Sequence, residues 1–229
     1  MGRLTIVIPV LNEAAIVVAA LQALAPLRAR GAEIIVADSG SRDGTAQLAK
    51  PFADRIVTVR RGRGVAMNTG AALGTGDVLL FLHADTALPD NADRLMDTAL
   101  AHRAWGRFDL RIAGRHPLLA VVARMINLRS RLTGIATGDQ AIFVSRKAFE
   151  AVGGFPDLPL MEDIAISGRL KRLCRPYCIA TPAVTSGRRW EHNGVIRTIL
   201  LMWRLRLSYY LGAEPALLAE LYDAPRSAA

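Results

Sequence analysis

Lysine is nearly absent from this chain. Only Lys50, Lys147 and Lys171 occur among 29 basic residues, so the formal charge of +9 is carried by arginine. The planar guanidinium can bond two oxygens of a phosphate at once, and an anionic ligand or surface is therefore favoured over a generic basic protein. The basic residues are dispersed and form no single tract, which argues against nucleic acid as a partner. Cysteine is also scarce. Cys174 and Cys178 flank Pro176 with no second pair to complete a zinc site, and they read as reduced thiols of a cytosolic protein. No secretory leader is expected, because the opening apolar run ends at Pro9, Asn12 and Glu13. The most membrane-like stretch, Val195 to Leu211, is interrupted by Arg197, Arg204 and Arg206 and falls short of the ~20 apolar residues a span requires. Repeats, low-complexity segments and flexible linkers are missing as well.

What is present is a 229-residue chain with 52% hydrophobic residues, enough to fill one large α/β domain. Strand and helix patterns alternate through the first half: strands at Leu4 to Val10, Glu33 to Ala37, Arg55 to Val59 and Val78 to Leu82; helices at Ala14 to Leu27, Ala46 to Ala49 and Val65 to Leu73. Short connections between such elements mark a parallel sheet with helices on its faces. The second half is less regular. It predicts a helix from Pro89 to about His102, a half-exposed strand at Trp105 to Ile112, a helix at Leu118 to Leu132 and a strand at Ala141 to Val144. A short helix at Arg146 to Val152, a helix from Met161 to about Arg172 and a last strand at Tyr177 to Val184 follow.

The central stretch is Gly76 to Thr86. Five consecutive apolar residues, Val78 to Leu82, suit a strand covered on both faces, and His83 and Asp85 follow directly where the chain leaves the sheet. Ligands of open α/β sheets bind beyond the carboxyl ends of the strands. Asp85 is thus either a ligand group there or the cap of the helix announced by Pro89. Asp38 ends the second strand and Asp163 opens a helix, so the pattern brings three acids to one edge, beside Arg60, Arg61, Arg63 and a glycine-rich turn. Such a set describes a diphosphate pocket: carboxylates hold a divalent cation, while arginines and backbone N–H groups bind the remaining oxygens. The turn has neither the lysine nor the spacing of a P-loop.

In order, these motifs resemble the family 2 glycosyltransferases of the GT-A fold, from Thr5 to about Trp190. Ile6-Val-Ile-Pro9-Val-Leu-Asn12-Glu13 is similar to that family's first strand and loop. Asp38-Ser-Gly-Ser-Arg-Asp43-Gly-Thr45 is similar to its Asp-rich turn, and Arg63-Gly-Val-Ala-Met-Asn68 to its Arg-Gly and Asn segment. His83-Ala-Asp85 occupies the place of the metal-binding DXD motif, and Gly153-Gly-Phe155 with Glu162-Asp163 that of the acceptor loop and catalytic acid. The resemblance implies a Rossmann-like, mostly parallel sheet over residues 1–190, with 191–229 a C-terminal helical extension on or beside it.

It further implies a nucleotide site at Pro9, Glu13, Asp38, Arg63, Asn68 and His83, and Mg2+ or Mn2+ at Asp85. Asp163 would be the general base of an inverting transfer with Glu162 beside it, and Asp139, Arg188 and Arg189 would be acceptor or diphosphate contacts. The expected partners are a UDP- or GDP-sugar and a hydroxyl acceptor, lipid-linked if the C-terminal segment reaches a membrane. The expected location is the cytoplasm or the membrane's inner face.

Two departures stand out. His83 replaces the first DXD aspartate, leaving the imidazole either a second metal ligand or a hydrogen-bonding group. Ser186 replaces the glutamine of the Gln-x-x-Arg-Trp motif ending at Arg189-Trp190, which argues against polymer synthesis. The segment from Gly194 to Leu211 is open to four readings: membrane contact, closure over the site, a homodimer contact, or burial against the domain. Two rival functions keep the nucleotide pocket, a nucleotidyltransferase acting on a sugar phosphate or similar metabolite, and a degenerate nucleotide-binding domain. The glycine- and arginine-rich opening loop of the first is missing at Pro9 to Glu13.

Overall fold

The computed structural model describes residues 3–223. Its strands are β1 (Leu4–Val10), β2 (Glu33–Asp38), β3 (Arg55–Thr58), β4 (Val78–Phe81), β5 (Thr86–Ala87), β6 (Trp105–Ala113), β7 (Ile142–Ser145) and β8 (Tyr177–Ser186). They form one sheet in the order β3-β2-β1-β4-β7-β6-β8-β5. The first four run parallel, as their alternation with helices predicts. Beyond β4 the sheet is mixed: β7 is antiparallel to both its neighbours, β8 is parallel to β6, and β5 is antiparallel to β8.

The helices are α1 (Val17–Ala23), α2 (Ala25–Ala29), α3 (Thr45–Ala49), α4 (Arg63–Leu73), α5 (Ala92–Leu100), α6 (Leu118–Thr133), α7 (Arg146–Ala151), α8 (Glu162–Leu173), α9 (Arg188–Asn193), α10 (Val195–Tyr210) and α11 (Pro215–Asp223), with a 3-10 turn at Gly138–Gln140. Two cores sandwich the sheet. Ile6, Ile8 and Leu80 face α1, α2 and α5, whereas Val7, Leu79 and Phe81 face α4, α7 and α8. β1 and β4 are therefore apolar on both sides, which explains their uninterrupted hydrophobic runs.

Several local expectations are corrected. The helix from Ala14 to Leu27 is two helices, because Pro26 has no N–H to donate and fits only a first turn, so the chain ends α1 and restarts. α5 starts at Ala92 behind Asn91, and Asp85 does not cap it. β6 is buried over Trp105–Phe108, between β7 and β8, and alternates only past a bulge at Phe108/Asp109. β5, α9 and α11 are too short or too local to carry a periodic signal.

One buried acid fastens the parallel half. Glu33 Oε2 accepts from Thr5 Oγ1 at 3.0 Å, from Thr75 N at 2.7 Å and from Thr75 Oγ1 at 3.1 Å. Thr5 Oγ1 in turn accepts from Gly76 N at 2.9 Å. Gly76 must be glycine, since a Cβ there would collide with the Arg3 carbonyl oxygen. Burial raises the Glu33 pKa, but the hydrogen bonds from Thr75 and Thr5 outweigh it, and the net shift is downward. A depressed carboxyl contributes stability above its ordinary pKa and loses it as pH falls through the lowered value. Glu33→Ala should thus lower the unfolding free energy by about 2–3 kcal/mol at pH 7. In urea melts the deficit should shrink steadily below the ordinary glutamate value of 4.5.

Candidate active site

Because β1, β2 and β4 are parallel, the residues that follow them emerge along one edge, and β7, running the other way, starts there too. Above that edge lies a cavity of about 800 Å³. Pro9 and Glu13 reach it from the end of β1, and His83 and Asp85 from the end of β4. Gly138 and Asp139 come from the 3-10 turn, Glu162 and Asp163 from the start of α8, Arg63 from α4 and Arg189 from α9.

The loops that carry these groups are pinned. Asn12 N donates to Ser41 Oγ and Arg42 N to Asn12 Oδ1, both at 2.9 Å. Glu13 N donates to Thr45 Oγ1 at 2.9 Å and Ala14 N to Asp43 Oδ2 at 3.0 Å, so the Asp-rich turn holds the backbone that presents Glu13. Asp38 does not line the cavity. It is buried and accepts from Ser41 N at 3.0 Å and Ser41 Oγ at 2.5 Å. Asn68 lies outside the lining as well: its Oδ1 accepts from Phe155 N at 2.9 Å and its Nδ2 donates to Phe155 O at 2.8 Å, clamping the Gly153-Gly154-Phe155 loop. Arg188 is exposed, with Nε 3.2 Å from Ser186 Oγ.

Asp163 is held through both oxygens. Gly138 N donates to Oδ2 at 2.9 Å and Ile164 N to Oδ1 at 2.7 Å, which fixes the carboxylate and leaves acceptor capacity on each oxygen. Glu162 is 2% exposed and takes Arg63 Nη1 at 3.1 Å. Burial pushes its pKa up against the pull of Arg63, and the neighbouring Asp163 adds to the rise. Asp85 is less engaged, with the hydroxyls of Thr86 and Thr185 at 3.4 and 3.5 Å from Oδ1. Burial raises the Glu13 pKa, and the nearby Asp85 charge raises it further.

Neither ring nitrogen of His83 hydrogen-bonds Asp85. Nδ1 lies 3.0 Å from Asp139 Oδ1, and Nε2 is buried without a partner against Gly138, where an added Cβ would run into it. Burial disfavours the Asp139 anion, but the His83 hydrogen bond and charge, with Arg63 and Arg206, more than offset this and hold its pKa down. Among the described residues the only non-glycine residues with positive φ are Asn12, Ala141 and Met161, at 55, 48 and 71°. All three sit in the loops feeding this cavity, where backbone strain commonly serves function.

The roof was not visible in the motifs. Val121, Met125 and Arg129 of α6, with Met202, Trp203 and Arg206 of α10, line the far wall. Tyr222 of α11 closes one side, its hydroxyl bonded to Arg189 Nη1 and its ring 3.7 Å from the Arg189 guanidinium carbon. Of the four readings of Gly194 to Leu211, partial burial is seen at Val195, Thr198 and Leu205, and the same helix lends Met202, Trp203 and Arg206 to the cavity wall. No helix of the described residues is long and apolar enough to cross a membrane.

The sequence model described as glycosyl transferase family 2 matches residues 5–116. The PGL/p-HBAD biosynthesis glycosyltransferase of Mycobacterium tuberculosis is 40% identical over 102 residues, covering 42% of this chain and 40% of that protein. The succinoglycan biosynthesis protein ExoA of Rhizobium meliloti is 38% identical over 106 residues, covering 42% of this chain and 32% of that protein. The matches thus span less than half the length of these relatives.

Among solved structures, the mannosyltransferase PcManGT of Pyrobaculum calidifontis, in complex with GDP-Man and Mn2+, superposes with a TM-score of 0.65 at 23% identity, over 97% of this chain and 70% of that one. Glucosyl-3-phosphoglycerate synthase of Mycobacterium tuberculosis, with Mn2+, UDP and glucosyl-3-phosphoglycerate, gives 0.59 at 22% identity, over 80% of this chain and 72% of that one. At such identities the superpositions establish the GT-A fold. Residues 5–116, just under half of the chain, thus match glycosyl transferase family 2, and they do so within a GT-A fold.

Proposed function

We propose that this chain moves a sugar from a UDP- or GDP-sugar to a hydroxyl acceptor, with inversion at the anomeric carbon. The observation that carries this reading is that Asp85 and Asp163, brought from β4 and α8, face one cavity large enough for a nucleotide sugar. Asp163 takes the proton of the acceptor hydroxyl as that oxygen attacks the anomeric carbon, and the bond to the diphosphate oxygen breaks on the opposite face. The two N–H donors on Asp163 keep its carboxylate aimed during attack. Arg63, held by the buried Glu162, presents its guanidinium to the phosphates. Pro9 and Glu13 lie toward the nucleoside, Asp38 orders the turn behind them through Ser41, and Asp139 holds His83 in place.

The donor set fits a divalent cation in part. Asp85 and Glu13 are two carboxylates of one cavity, and the Asp85 charge disfavours the Glu13 anion, a penalty that Mg2+ or Mn2+ would relieve. No three His, Cys, Asp or Glu side chains are grouped to hold a metal alone among the described residues, so phosphate oxygens and water would complete the shell. When bound, the cation supplies positive charge against the leaving diphosphate. The fold neighbour holding GDP-Man and Mn2+ supports this assignment.

Asp163→Asn should reduce turnover of the productive nucleotide sugar by about 10²–10⁴-fold, with donor affinity nearly unchanged. Equal loss of both would remove Asp163 from the proton transfer. Asp85→Ala should weaken UDP or GDP binding in Mn2+ by roughly tenfold or more and leave metal-free binding as it was, measured by calorimetry. Gly138→Ala should displace His83 and cost about 1–3 kcal/mol in thermal unfolding. By contrast Gly168→Ala in α8, where a Cβ meets nothing within 4 Å, should be neutral or stabilising by up to ~1 kcal/mol.

A further inference from the structure

The cavity holds two arginines that nothing in the transfer uses. Nε and Nη2 of Arg129 are buried without a hydrogen-bond partner. Arg206 reaches the same wall from α10 and forms no ion pair among the described residues. Burial, with the charge of Arg206 adding to it, lowers the Arg129 pKa to about 10 against the opposing pull of Asp163 and Tyr210. Two neighbouring guanidinium groups that form no ion pair, one of them with unpartnered buried nitrogens, are costly to maintain, and a bound anion lowers that cost. The contrast with Arg63 and Arg107 is direct, since each of those is paired with a carboxylate.

The surroundings define the rest of the ligand. The wall beside these arginines is apolar, built from Val121, Val122, Met125, Met202 and Trp203, and it continues outward as an exposed ridge. Met125 is 54% and Trp203 61% exposed, and Leu128, Leu200 and Leu207 extend the two stripes at helical spacing. α6 and α10 carry six arginines and no acid between them, so a second copy docked here would set like charges face to face.

We infer that Arg129 and Arg206 form an anion subsite for the acceptor, and that the acceptor is an amphiphile whose phosphate-like head pairs with these two arginines while its apolar chain lies on the α6 and α10 wall. Arg129 lies within electrostatic reach of Asp163, so the head is held on the base's side of the cavity, separate from the donor diphosphate beside Asp85. The inference deepens the transferase reading and rests on its acceptor half alone.

The test is calorimetry with octyl phosphate, 1-octanol and inorganic phosphate, in the absence of nucleotide and metal. Octyl phosphate should bind at least about tenfold more tightly than either of the others. Arg206→Gln and Arg129→Met should each reduce it to the level of 1-octanol, while UDP binding in Mn2+ stays within about twofold of wild type. Arg129→Met should also melt no lower than wild type, because an unpartnered guanidinium is removed and its volume kept. Octyl phosphate binding no better than 1-octanol, or as well in both variants, would overturn the anion subsite. Inorganic phosphate binding as tightly as octyl phosphate would overturn the apolar half, and a melting temperature several degrees lower in Arg129→Met would make that arginine a structural group. Loss of UDP binding in the wild type would count against the transferase and leave this result standing.

Discussion

β1 and β4 are covered on both faces, and that constraint organises the molecule. A strand in such a place admits no unpaired polar side chain until it leaves the sheet, so polar groups are displaced to its end. Parallel pairing then gathers those ends. His83 and Asp85 come into reach of Glu13 because Leu4–Val7 run in register with Val78–Phe81. The Glu33 cluster supports this arrangement from the opposite end of the same strands, tying Thr5 of β1 to the turn that enters β4.

The elements beyond β4 build the remaining walls of the cavity. Phe81 contacts the Phe155 ring edge-on, with centroids 4.7 Å apart, and Asn68 clamps the backbone of Phe155, so the loop leading to α8 is fixed to the sheet before Asp163 appears. On the other side, Arg107 is buried in β6 and donates to Ser130 Oγ and Asn127 O of α6, which holds the helix bearing Arg129 over the same opening. The walls that carry Asp85 and Arg129 thus belong to separate halves of the sheet that meet above β4 and β7.

What could be read in the sequence follows the same division. Asp85 was legible because an acid at the end of an apolar run is costly unless it is paired or bound, and Asp163 because Gly153-Gly-Phe155 with Glu162-Asp163 resembles a known acceptor loop and acid; both line the cavity. The order of motifs placed Asn68 beside the nucleotide, whereas its amide is spent on Phe155, a contact 87 residues away that no local pattern encodes. Arg129 and Arg206 read as ordinary polar positions of amphipathic helices. That the two meet at one cavity wall, neither in an ion pair among the described residues, arises only when α6 and α10 pack together. The split of the first helix was foreshadowed by Pro26, but a proline marks a stop and a first turn equally well.

The sheet's two ends have a bearing on how the protein behaves at high concentration. β3 spans four residues and carries Arg55, whose guanidinium reaches back to the Leu73 carbonyl, and β5 offers two residues. Beyond the two β8 residues that β5 covers, the outer side of β8 is interrupted by the bulge between Ile179 and Pro182 and by the missing N–H of Pro182, so neither border presents a long, regular row of free amides and carbonyls on which another chain could add a strand. An eight-stranded sheet can therefore remain open at both sides without seeding fibrils or swapped strands.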